Sequence, residues 1–169
     1  MGMDDHKIDV YAGAKECLTF NHIPLCSDAD EEIISFEEFS VRCRWAPCHT
    51  KGHILWYVQV NQPTDQISDF TIAEPTTCIQ NTFLLTGDTL FAGGMGRFFE
   101  GDASQMVKNV DFIKSLPDDT PCFYGHDYAI SNLDWALKTN LEHPGYANFK
   151  EVCELRTNKG LPLQGFSIG

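Results

Sequence analysis

Residues 41–60 read VRCRWAPCHTKGHILWYVQV, and the fold class turns on them. Val41, Cys43 and Trp45 alternate with Arg42 and Arg44, the period-two pattern of a half-buried strand. Pro47 stops that strand. Gly52 opens a second one, HILWYVQV, which is apolar on both faces and so is expected to be covered on both sides. The turn between the two strands carries His49.

Working outward, the chain reads as mixed α/β. On the N-terminal side, KIDVYA (7–12) is expected to be a short strand, 13–22 a helix, and 23–38 an acidic, loop-rich stretch. On the C-terminal side, 61–77 is polar with two prolines and reads as a surface loop. Phe83, Leu84 and Leu85 form a short strand ending in Thr-Gly-Asp, and Gly93, Gly94 and Gly96 a flexible loop. Asp102 is placed to cap a helix with Met106, Val107, Val110, Ile113 and Leu116 on one face. Pro117 ends it, and PCFYGH (121–126) gives a further strand. Ser131 is expected to cap a second amphipathic helix built on Leu133, Ala136, Leu137 and Leu141. After Pro144 a third helix spans about 146–157 and fades at Gly160.

The 169 residues suit one ordinary domain. With 24 acidic against 12 basic residues the net charge is −12, which repels phosphate backbones and anionic lipid. Sequence-independent nucleic-acid binding is thereby excluded and membrane docking disfavoured. No apolar run approaches the ~20 residues of a membrane span, and 1–10 is charged and lacks an apolar signal core. Seven cysteines with no Cys-x-x-Cys pair make neither a disulfide framework nor a zinc-finger spacing. Reduced thiols in the cytoplasm are the expectation.

Three polar residues share one position in this map. His49, Asp88 and His126 each follow a strand end and each lie near a glycine. Strand ends are where α/β proteins place function, and two imidazoles with a carboxylate suit a borderline divalent metal.

Four strings extend the pattern: Ala46-Pro47-Cys48-His49-Thr50-Lys51-Gly52-His53, Leu85-Thr86-Gly87-Asp88-Thr89-Leu90-Phe91, Gly96-Arg97-Phe98-Phe99-Glu100-Gly101, and Tyr124-Gly125-His126-Asp127-Tyr128 followed by Asn132-Leu133. In order and spacing these resemble glyoxalase II, the hydroxyacylglutathione hydrolase branch of the metallo-β-lactamase superfamily. The resemblance implies an α/β fold, a truncated metallo-β-lactamase αββα sandwich. It implies a partial metallo-β-lactamase domain over 1–145 and the start of a C-terminal helical region over 146–169. His49 resembles the histidine on a first metal, Asp88 the carboxylate bridging two metals, and His126 the histidine on a second. His53 resembles a structural histidine of the same motif. Arg97, Phe99 and Tyr128 match residues that meet the glutathione part of the substrate. Phe99 stands where some members have tyrosine, and Met95 where cysteine is common. The implied cofactor is a pair of zinc or iron ions. The implied reaction is hydrolysis of an S-2-hydroxyacylglutathione thioester to glutathione and a 2-hydroxy acid.

The family's Thr-His-x-His-x-Asp-His string has no counterpart in this sequence. Asp5-His6 runs straight into KIDVYA and is expected to be a tail rather than half of that motif. Each metal then keeps one histidine and the shared Asp88, so catalysis is expected to be impaired or lost. Two alternatives stand beside this expectation. One is an active thioesterase completed by a second chain or a longer native chain. The other is a non-catalytic module binding glutathione or a protein. Loss of a layer is expected to expose apolar residues among Val41, Cys43, Trp45, Leu55, Trp56 and Tyr57. The corollary is a homodimer, or a partner covering the missing sheet.

Overall fold

A computed structural model describes residues 8–61, 81–139 and 143–168. His6, Leu141 and the expected loop beyond Asn61 lie outside the described residues. Among those described, the strands are β1 (Tyr11–Gly13), β2 (Ile23–Leu25), β3 (Glu31–Ser35), β4 (Phe39–Trp45), β5 (Ile54–Val60), β6 (Thr82–Gly87), β7 (Leu90–Phe91), β8 (Gly94–Met95), β9 (Pro121–Tyr124) and β10 (Phe166–Ser167). The helices are α1 (Ala103–Lys114), α2 (Ala129–Lys138) and α3 (Tyr146–Asn158). None of them is long and apolar enough to cross a membrane.

The main sheet has the order β10-β9-β6-β5-β4-β3. Strands β3 to β6 pair antiparallel, and β9 joins β6 in parallel after the α1 crossover. The 41–60 stretch therefore forms the middle of the sheet, Val41 opposite Val58 and Cys43 opposite Trp56. Strand alternation divides these residues between two cores. Leu55, Tyr57, Leu84 and Cys122 pack under Phe112, Ile113 and Leu116 from α1 and the turn after it. Val41, Cys43, Ile54 and Val58 pack on the other face against Leu25 and Cys26. A third cluster, Ala92, Ala129, Leu133, Cys153 and Leu163, ties α2 and α3 to Tyr124 and Phe166 at the β9–β10 end. All three helices thus lie on one face and the parallel β1–β2 pair on the other.

That second cover corrects the expected exposure. Val41, Cys43, Leu55 and Tyr57 are all buried, and Trp45 and Trp56 are half-buried. The β1–β2 segment covers one face and α1 the other, so the layer reasoning for a homodimer or covering partner loses its basis. Six cysteines among the described residues are free thiols, all but Cys17 buried.

Other differences trace to particular contacts. Residues 14–22 form turns and bends rather than a helix, and Lys15 and Glu16 among them turn to the β4–β5 region. The Lys15 ammonium sits 3.2 Å from the centre of the Trp45 ring, and Glu16 accepts a hydrogen bond from the Thr50 hydroxyl. Strand β3 falls in the stretch read as loop. Its sequence EEIIS shows no strict alternation of apolar residues, and its pairing is carried by cross-strand charges instead. Glu31 accepts from Arg42 at 2.6 Å and from Arg44 at 3.2 Å, and both guanidiniums lie over Phe112 of α1. Asp102 caps α1 in a reciprocal capping box with Gln105. The inward face of α1 is Met106, Asn109, Phe112 and Ile113, with Val107 exposed. Helix α2 begins at Ala129, and Ser131 lies inside its first turn, donating to the Tyr128 carbonyl. Of Phe83, Leu84 and Leu85 on β6, only Leu84 is buried, and Leu85 is exposed.

Two expected outcomes follow from this packing. Leu84→Ala should cost ~2–5 kcal/mol in urea unfolding, the range for a buried leucine left as a cavity. The Arg42 hydrogen bond, with the charges of Arg42 and Arg44, holds the Glu31 carboxyl below its ordinary range against the cost of partial burial. A depressed acid adds stability above its unfolded pKa and loses it as pH falls through the folded value. Glu31→Gln should therefore cost ~0.5–1 kcal/mol at neutral pH. That difference should vanish as titration proceeds below about pH 4.

Candidate metal centre

The three strand ends do meet. His49 Nε2 lies 3.1 Å from Asp88 Oδ2, and His126 Nε2 lies 3.3 Å from the same oxygen.

Each residue is held by its own backbone device. The β4–β5 turn closes through Ala46 N–H to the His53 carbonyl and Cys48 N–H to the Thr50 carbonyl. From α1, the buried Asn109 amide donates to the Pro47 carbonyl at 3.0 Å. The glycine-flanked loop 96–101 clamps the turn from outside. Glu100 N–H donates to the Cys48 carbonyl, and Lys51 N–H donates to the Glu100 carboxylate. Asp88 sits just past a register shift in the β6–β9 pairing between Leu85 and Gly87. Thr86 is the extra residue there and is fully buried. Its hydroxyl lies 2.9 Å from the Leu90 carbonyl and 3.1 Å from the Phe123 carbonyl, and such bulges re-aim the side chain that follows. His126 follows β9 by two residues, and Gly125 between them donates its N–H to the Gly87 carbonyl at 2.9 Å.

The donors fit a cation. His49 Nδ1 lies 3.0 Å from the Arg97 carbonyl, which only accepts, so Nδ1 carries the proton. Nε2 then faces a carboxylate oxygen 3.1 Å away. Two acceptors at that distance repel unless a proton or metal ion lies between them. Donors bound to one tetrahedral zinc at ~2.0–2.1 Å stand ~3.3 Å apart. Among the described residues, however, no three His, Cys, Asp or Glu side chains form a ready-made cage. The cluster is two His–carboxylate pairs that share one oxygen.

The surrounding groups form an aromatic rim with one cation. Phe99 meets His49 edge-on at 5.1 Å, and the Arg97 guanidinium lies 5.2 Å over the Phe99 ring. Tyr128 stacks on His126 at 4.9 Å, and Phe91 packs edge-on to both. Phe99 and Tyr128 are exposed. His53 is not among the converging donors. It is half-buried behind them, where desolvation first and the nearby His49 second press its pKa down. Burial first, and Asp102 second, push the Cys48 thiol up, so it behaves as a packing residue beside the site.

Sequence reading missed Thr86, Asn109 and Glu100. Asn109 alone leaves a trace, a polar residue in phase with the buried Met106, Phe112 and Ile113.

Solved structures and known sequences bear on this geometry. A metallo-β-lactamase from Staphylococcus aureus superposes with TM-score 0.50 at 21% identity, over 85% of this chain and 44% of its own. No protein-family model matches. A hydroxyacylglutathione hydrolase-like protein of Gallus gallus is 34% identical over 135 residues, 79% of this chain and 43% of its own length. The hydroxyacylglutathione hydrolase of Citrobacter koseri is 34% identical over 138 residues, 80% of this chain and 45% of its own. That of Salmonella typhi is 31% identical, over 94% of this chain and 60% of its own. The fold and these likenesses define a member of the metallo-β-lactamase superfamily. Within it, the chain is homologous to the hydroxyacylglutathione hydrolases, the glyoxalase II branch. It spans under half the length of the first relatives it matches.

Gly125 tests the geometry of the centre. A Cβ there would lie 2.1 Å from Asp88 Oδ1. Gly125→Ala should displace the carboxylate and cost ~1–3 kcal/mol, as overpacking does. A denaturation series together with a crystal structure of the variant checks both.

Proposed function

We propose that this chain carries the His49, Asp88 and His126 part of a glyoxalase II-type metal site for glutathione thioesters, and that on its own it hydrolyses them slowly or not at all. The observation behind this is the pair of imidazoles facing one Asp88 oxygen.

In this reading His49, Asp88 and His126 hold zinc or iron. A bound metal would supply Lewis acidity and a lowered pKa for bound water. The residues of the chain do the rest. The Arg97 carbonyl fixes the tautomer of His49, so its Nε2 faces inward. The Arg97 guanidinium offers charge-assisted hydrogen bonds to a glutathione carboxylate. Phe99 and Tyr128 present flat apolar faces on either histidine. Reaction is addition of water across the thioester carbonyl, with the glutathione thiolate leaving and a 2-hydroxy acid released. Structural zinc sites use four protein ligands and catalytic ones three, so three donors shared between two metals hold them weakly. The reading carries a reducing, cytoplasmic setting, in keeping with the free thiols.

A second reading rests on the lengths of the relatives, which run well beyond the matched segment. The same site, completed by further residues of a longer chain or by a second chain, would be an active thioesterase.

Two measurements separate these. Zinc titration of the chain should give weak uptake that a chelator strips, against two retained equivalents for a completed site. Hydrolysis of a lactoylglutathione thioester should stay far below ~1 per second, the low end of ordinary turnover. A rate at that level that disappears in Asp88→Ala would overturn the impaired reading and establish the second.

A further inference from the structure

Both nitrogens of the half-buried His53 ring are spent on one turn. Asp88 N–H donates to His53 Nε2 at 3.2 Å. His53 Nδ1 lies 3.2 Å from the Thr89 hydroxyl. Because Nε2 accepts, the proton of the ring is on Nδ1, which donates to Thr89 Oγ1. Thr89 is itself buried. The turn is moulded to the ring on its third side as well. Gly87 has φ +49, and a Cβ there would stand 2.7 Å from His53 Nε2.

His53 also belongs to the other turn of the site. Its carbonyl accepts from Ala46 N–H and closes the loop that carries His49. One residue therefore touches both loops, its backbone closing one and its side chain shaping the other. The two imidazoles of the loop lie edge-on at 6.4 Å. From this arrangement we infer that His53 is a positioning residue. As the neutral Nδ1–H tautomer, it fixes the Asp88 turn relative to His49 and so sets the distance between the two donors. Its role deepens the metal-site reading and depends on it only for the affinity readout described next.

Two substitutions separate positioning from packing. Gln in place of His53 keeps an acceptor for Asp88 N–H, whereas Leu keeps bulk without one. Zinc affinity, measured by titration of the whole chain, should fall ~10-fold or more in His53→Leu, the scale for partners of ligating residues. His53→Gln should stay within about threefold of the parent chain, well short of that loss. Equal affinity for His53→Leu and the parent, or equal loss in both variants, would overturn the proposal. A second readout needs no variant and no metal. Nitrogen-15 NMR of the labelled chain should show the His53 ring as Nδ1–H with an unprotonated Nε2. An Nε2–H ring would overturn the proposal even if zinc binding behaved as expected. If the parent chain takes up no zinc, the metal-site reading fails, and the tautomer still decides the role of His53.

Discussion

Everything at the candidate centre depends on how β6 and β9 are joined. The two strands run parallel, and their register shifts between Leu85 and Gly87. At that step the Thr86 hydroxyl lies within hydrogen-bond reach of the Leu90 and Phe123 carbonyls, and Gly125 N–H binds the Gly87 carbonyl. These contacts consume polar groups that are costly to bury unpaired. They also put Asp88 and His126 on neighbouring strand ends. A plain continuation of the ladder would have turned Asp88 to the opposite face of the sheet.

The His49 loop is brought to that pair by covers on both faces of the sheet. On one side α1 inserts Asn109 behind Pro47, while its capping box fixes where the helix begins. On the other, Lys15 and Glu16 reach Trp45 and Thr50. Loop 96–101 closes the front, supplying the Arg97 carbonyl to His49 and the Glu100 carboxylate to Lys51. The same loop carries the Arg97 guanidinium and the Phe99 ring, so a cation, an aromatic face and a carbonyl that orients a donor share one short segment.

A six-stranded sheet with an apolar central strand needs both faces covered. Here the helices supply one cover, and two three-residue strands with Leu25 and Cys26 supply the other. The result keeps Cys43, Leu55, Leu84 and Cys122 wholly out of water.

The central strands, the Asp102-capped helix and the places of His49, Asp88 and His126 at strand ends were legible in the sequence, because each writes its own local signature. Alternation marks β4, continuous apolarity marks β5, a cap and a proline bracket α1, and a polar residue near a glycine marks each of these strand ends. What the sequence could not give was set by contacts between distant segments. Strand β3 is held by Glu31 against Arg42 and Arg44, which no local period records. Lys15 and Glu16, in the stretch expected to be helical, find their partners in Trp45 and Thr50 instead. Thr86 and Glu100 look like ordinary polar residues until the fold buries the first between two strands and lays the second against Lys51. That His49 and His126 meet on one oxygen of Asp88 was decided by tertiary structure alone, because a sequence fixes which strand ends carry donors, and only the pairing of the strands fixes which ends are neighbours.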